Sequence, residues 1–155
     1  MKNSFETKKI PFSPPDISDL EIEEVSKALR SGWITTGPRT KMLEKKLTKF
    51  ILSGVVSDED VNEIQSRVVC LNSATAAEEM NLKVLGVQPG DEVIVPAYTY
   101  TATASAALHC GARIKFVDIQ KDGDPITHMP EMDYDAVEAS ITEKTKAIVS
   151  VDLGG

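Results

Sequence analysis

The chain reads as an α/β domain built around a mainly parallel sheet, and three observations lead there. Four short, nearly all-apolar runs recur from Arg67 onward: "RVVCLN", "DEVIVPA", "RIKFVDI" and "KAIVSVDL". This is the composition of strands buried on both faces. Segments of helical pattern lie between them, at residues 75–86, in "TATASAALHCG" and over 133–141, so strand and helix alternate. The totals agree: 155 residues, 41% hydrophobic and 26% charged, suffice for one domain with a real core.

The N-terminal elements are helical. Ser18 followed by Glu21 is a capping-box pattern, and Ile22, Val25 and Leu29 share one helical face up to a stop at Gly32. Pro38 suits the first turn of a second helix with an apolar stripe of Leu43, Leu47 and Phe50, ended by Gly54. The acidic stretch 55–66 reads as a connection with one short helix. We therefore expect residues 1–66 to form an N-terminal helical segment and connection. Residues 67–155 form a partial α/β domain, the whole making a single domain. The strand "KAIVSVDL" runs straight into Gly154 and Gly155 without the crossover helix that a parallel strand requires, so the architecture is expected to be unfinished.

Several function classes are disfavoured. A net charge of −7 without a basic stripe argues against nucleic acid. No apolar run reaches the roughly 18 residues of a membrane span, and the N-terminus lacks the apolar stretch of a signal peptide. Cys70 and Cys110 form neither a metal spacing nor a disulfide framework, so a reducing cytoplasm is the expected setting.

Three segments carry the candidate chemistry. Asn72–Thr75 joins the first expected strand to its helix, at the sheet edge where α/β proteins bind ligands. Small residues at a helix start let an anion reach free backbone N–H groups, and Ser73 and Thr75 add hydroxyls. The turn serves either as a phosphate site or as a plain helix cap by Ser73 or Thr75. It is neither GxGxxG nor a P-loop. Tyr98 and Tyr100 follow the strand ending at Pro96; on general grounds both pack in the core with bonded hydroxyls. The loop "SGWITTGP", with the only tryptophan, is either a tight inter-helix turn or a lid over a site.

Taken together, "PFSPPDI", "SGWITTGP", "NSATAA", "PGDEVIVPAYTYTATASAALHCGA" and "FVDI" resemble, in order and spacing, the DegT/StrS family of pyridoxal-phosphate-dependent sugar aminotransferases. The resemblance covers nearly the whole chain and is weakest over 52–66. It implies a fold-type I large domain and pyridoxal 5'-phosphate as cofactor. It assigns the cofactor phosphate to Ala74, Thr75 and Ala76, and stacking on the pyridine ring to Tyr100. It places the loop of Trp33, Ile34, Thr35 and Gly37 near the substrate. The implied partners are a nucleotide-linked keto-sugar, an amino-acid donor and a second copy of the chain.

The sequence departs from the family at several points. Ala74 stands where glycine is frequent, and Glu78 and Glu79 stand where Leu-His often follows; we expect those acids on a solvated face. The lysine that forms the Schiff base and the acid that pairs with the pyridine nitrogen would lie beyond Gly155, as would the small domain. We therefore expect no catalytic residue in this chain and no activity from it alone. Two other roles stay open: a non-catalytic assembly module, and a relative that dehydrates sugars. His109 and His128 read as isolated and without a role, "DGD" at 122–124 as a solvated loop, and Asp118 as a turn cap.

Overall fold

The computed structural model describes residues 11, 13–54, 60–121 and 129–153. The "DGD" loop, His128, Gly154 and Gly155 lie outside them. The chain divides into two compact units, one running to Cys70 and one beginning at Leu71.

The first unit is helical. Helix α1 (Asp19–Arg30) starts at the expected capping box: Ser18 N–H donates to Glu21 Oε2 at 2.7 Å, and Ser18 Oγ accepts from Leu20 N–H at 3.2 Å. Helix α2 (Pro38–Ser53) has Pro38 in its first turn and ends at left-handed Gly54. The apolar face of α1 is not covered: Ile22, Val25 and Leu29 are exposed, as are Leu43 and Phe50 of α2. What α2 buries is Thr48, whose hydroxyl donates to Glu44 O at 2.8 Å and accepts from Arg67 N–H at 3.0 Å. The short helix expected within 55–66 is a 3-10 turn, Val61–Glu63, held to α2 by Lys45 Nζ donating to Asn62 O at 2.8 Å.

The expected strand over "RVVCLN" does not form. A strand exists through its ladder, and no described segment pairs with this one. Instead Arg67 N–H goes to Thr48, Cys70 N–H goes to Glu44 Oε1 at 2.9 Å, and Val69 is left 76% exposed. The apolar run is tied down by polar side chains of α2.

The second unit is the α/β part. Its elements are α3 (Ala74–Val84), β1 (Glu92–Pro96), α4 (Ala102–His109), β2 (Arg113–Val117), α5 (Tyr134–Ser140) and β3 (Thr145–Ile148). The strands pair in parallel in the order β2-β1-β3, with Ile94 opposite both Lys115 and Ile148. Among the described residues three strands form rather than four. The last is shorter than its apolar run: beyond Ile148 one further ladder bond, Val149 N–H to Ile94 O at 2.9 Å, ends the pairing.

β1 is the centre of the core. Val93 and Val95 face α3 and α4, where Leu82, Ala106, Ala107 and Cys110 close over them. Ile94 faces the other way, onto Val117, Met132 and Val137 of the α5 side. Residues 85–91 turn α3 back onto the sheet, so it runs along β1 in the opposite sense. Its amino end therefore lies at the carboxyl edge of the strands, where α4 also begins.

Candidate functional site

The turn at the start of α3 is shaped by Ser73. Its backbone is extended, and its Oγ accepts from Ala76 N–H at 3.1 Å while its carbonyl accepts from Ala77 N–H at 3.2 Å. Ser73 is thus the helix cap. That cap does not exclude an anion: the N–H groups of Ala74 and Thr75 precede the first intrahelical bond and lie outside the ladder. The helix dipole makes this end electropositive, and the methyl side chains of Ala74 and Ala76 leave the approach open.

Across the same sheet edge, the chain leaves β1 at Pro96 and turns through residues 97–101 into α4. Ala97 N–H donates to Val117 O at 2.8 Å, and the hydroxyls of Thr99 and Thr103 are 3.1 Å apart. These bonds fix the turn, but they do not bury the aromatics. Tyr98 is exposed and Tyr100 is 77% exposed, so neither ring packs in the core as composition suggested. The reason is local: β1 already fills the interior with Val93, Ile94 and Val95, and α4 closes it with alanines.

Glu78 and Glu79 are half-buried rather than freely solvated. Glu79 Oε1 lies 2.5 Å from His109 Nδ1, linking α3 to the last residue of α4. His109 is therefore not isolated. Its hydrogen bond is the main cause that holds the Glu79 carboxyl below the usual range. Glu78 is half-buried beside a cavity of about 280 Å³ lined also by Asn81, Thr103 and Ser150. Its Oε2 is buried and has no hydrogen-bond partner among the described residues. Sequence reasoning missed both, because they depend on the packing of α3 on α4. Asp118 caps no described turn: its Oδ1 accepts from the N–H of the next residue, Ile119, at 2.8 Å, where a bridge to Met132 follows.

In the first unit, the loop between α1 and α2 is closed by its own tryptophan. Trp33 Nε1–H donates to Thr36 O at 3.1 Å, and Trp33 N–H donates to Ser31 Oγ at 3.2 Å. Trp33, Ile34 and Thr35 line a cavity of about 660 Å³ together with Ala28, Arg39 and Met42. Arg39 is ion-paired with Glu24 of α1. Ala74, Thr75, Ala76 and Tyr100 share one sheet edge of the second unit, while Trp33, Ile34, Thr35 and Gly37 form one loop of the first. Among the described residues no group of His, Cys, Asp and Glu is arranged to hold a metal, and no helix is long and apolar enough to cross a membrane.

The profile of the DegT/DnrJ/EryC1/StrS aminotransferase family matches residues 15–155. The chain belongs to that family. Among curated DegT/DnrJ/EryC1/StrS relatives, it is 36% identical over 149 residues to the spore coat polysaccharide biosynthesis protein SpsC of Bacillus subtilis. That match covers 94% of this chain and 33% of SpsC. Among solved structures it is similar to Spr1654 of Streptococcus pneumoniae, a candidate sugar aminotransferase. In the PMP form of Spr1654 the identity is 54%, the TM-score 0.77, and the match covers 96% of this chain and 33% of that one. The PLP form of the same protein matches at 55% and TM-score 0.73, over 91% and 31% of the two chains. An E. coli GDP-4-keto-6-deoxy-D-mannose-3-dehydratase with bound hydrated PLP matches at 23% and TM-score 0.70, over 93% and 34%, a likeness of fold alone. The chain thus spans about a third of the length of the relatives it matches.

Proposed function

We propose that these residues supply the phosphate-holding turn and the ring-facing tyrosine of a pyridoxal-phosphate-dependent aminotransferase. It would pass an amino group from an amino acid to a nucleotide-linked keto-sugar. The observation that carries this reading is a pairing at one sheet edge: the unbonded N–H groups of Ala74 and Thr75 at the electropositive end of α3, and the open ring of Tyr100. A flat ring bearing a phosphate fits both features at once.

In this reading the backbone of Ala74 and Thr75 and the Thr75 hydroxyl hold the phosphate, and Ala76 keeps the approach clear. Tyr100 orients the pyridine ring by stacking, and Trp33, Ile34, Thr35 and Gly37 face the sugar. When bound, the cofactor supplies an electron sink for charge developing at the substrate carbon. The residues named here hold and orient; none of them is the base that moves a proton at that carbon.

Equilibrium dialysis against pyridoxal 5'-phosphate and against pyridoxal tests the assignment. The phosphorylated form should be retained about tenfold more tightly, the worth of one charge-assisted hydrogen bond. Thr75→Ala should narrow that difference, and Tyr100→Ala should weaken both forms alike. A chain that binds the two forms equally overturns the reading. By itself this chain is expected not to convert a nucleotide-linked keto-sugar to its amino-sugar with glutamate, which mass spectrometry of the mixture checks.

A further inference from the structure

Gly37 stands at the N-cap of α2, where serine, threonine, aspartate or asparagine would supply a side-chain cap and glycine supplies none. Its backbone does not require glycine, since a φ of −169° is extended and open to any residue. What requires glycine is Trp33. Gly37 is buried, and a Cβ built on it would fall on the indole, 2.5 Å from Cδ1, 2.7 Å from Cε2 and closer still to Nε1.

We propose that Gly37 is a positioning residue: its missing side chain is the seat of the Trp33 indole, and that seat holds the Trp33–Thr36 loop in the shape that presents Ile34 and Thr35. The indole then has two fastenings. One is the Nε1–H bond to Thr36 O at 3.1 Å, the other the contact of the ring with the Gly37 backbone. A methyl group and an indole cannot share one volume, so a side chain at 37 displaces the ring of Trp33, a residue itself 57% exposed. The inference rests on the reading of Trp33–Gly37 as a sugar-facing loop.

Helix rules and the proposal predict opposite signs for Gly37→Ser. As a better N-cap, serine should favour α2; as an obstruction, it should displace Trp33. Trp33 is the only tryptophan, so its fluorescence reads the loop directly. In Gly37→Ser and Gly37→Ala we expect unchanged far-ultraviolet circular dichroism, emission shifted to longer wavelength and easier quenching by acrylamide. In equilibrium dialysis against a nucleotide-linked keto-sugar, retention should weaken about tenfold. In a Trp33→Ala background, Gly37→Ala should add nothing, because the partner is gone. Emission and quenching like those of the wild-type chain overturn the proposal, as does an affinity loss undiminished in the Trp33→Ala background. Loss of helical signal in both variants overturns it too, by making Gly37 a requirement of α2 itself. If the dialysis shows no preference for the phosphorylated cofactor, the functional reading fails while the fluorescence still decides the role of Gly37.

Discussion

Glu79 and His109 meet at 2.5 Å, thirty residues apart in sequence, and fasten the middle of α3 to the end of α4. Both helices begin at the sheet edge that carries the phosphate-friendly turn. The same carbonyl segment takes a second contact, Cys110 Sγ to Glu79 O at 3.9 Å.

The Glu79 link gives a pH dependence of known sign. The folded carboxyl titrates below the ordinary glutamate value of about 4.3, chiefly through the His109 bond. A depressed folded value means stability that is present above the unfolded value and lost as pH falls through the folded one. Melting temperature should therefore drop on acidification below about pH 4.3, and Glu79→Gln should drop less steeply than wild type. Glu92, lowered mainly by its hydrogen bond from Thr142 at 2.6 Å, adds a parallel loss that survives the Glu79 substitution. Calorimetry of both chains between pH 3 and pH 6 checks the difference.

Ile94 should be the most sensitive position of the sheet. It is fully buried in the central strand and is the β1 residue that faces the α5 side. Ile94→Val should cost roughly 0.5–1.5 kcal/mol and Ile94→Ala about 2–5 kcal/mol. Urea unfolding followed by circular dichroism reads both.

Ser73→Ala should cost about 0.5–2 kcal/mol, since Ala76 N–H loses its acceptor, and Ser73→Gly only a few tenths. Denaturant midpoints of the three chains rank them. An alanine variant as stable as wild type would show that the cap bond contributes nothing.

Gly111 and Gly86 separate backbone strain from steric collision. Both are left-handed, with φ of 80° and 76°, but a Cβ at Gly86 meets open space while one at Gly111 lies 2.7 Å from Pro89 Cγ. Gly86→Ala should cost roughly 1–2 kcal/mol, the penalty of the conformation alone. Gly111→Ala should cost more, by the displacement of Pro89. Equal losses in thermal unfolding would contradict the clash.

The sequence was most legible where the determinants are local. Ser18 with Glu21 marked the start of α1, and Pro38 and Gly54 bracketed α2, because caps and turns depend on residues within one helical turn. β1 was legible because three consecutive buried aliphatics admit few other structures. It misled where an apolar run needed a distant partner. "RVVCLN" has strand composition, yet its N–H groups end on Thr48 and Glu44, and the outer part of "KAIVSVDL" leaves the sheet.

The candidate site divides in the same way. By itself the sequence determined the small-residue turn of Ala74, Thr75 and Ala76, the aromatic at Tyr100, the Trp33 loop and the family. These are patterns of residue type and spacing along the chain. Only the tertiary structure decided that Tyr100 is open, that Glu79 answers His109, that Glu78 Oε2 is buried without a partner, and that the Trp33 indole fills the space beside Gly37. Each of those depends on which helix face or ring meets which neighbour. Burial and close packing are properties of surfaces brought together, and no single stretch of sequence carries them.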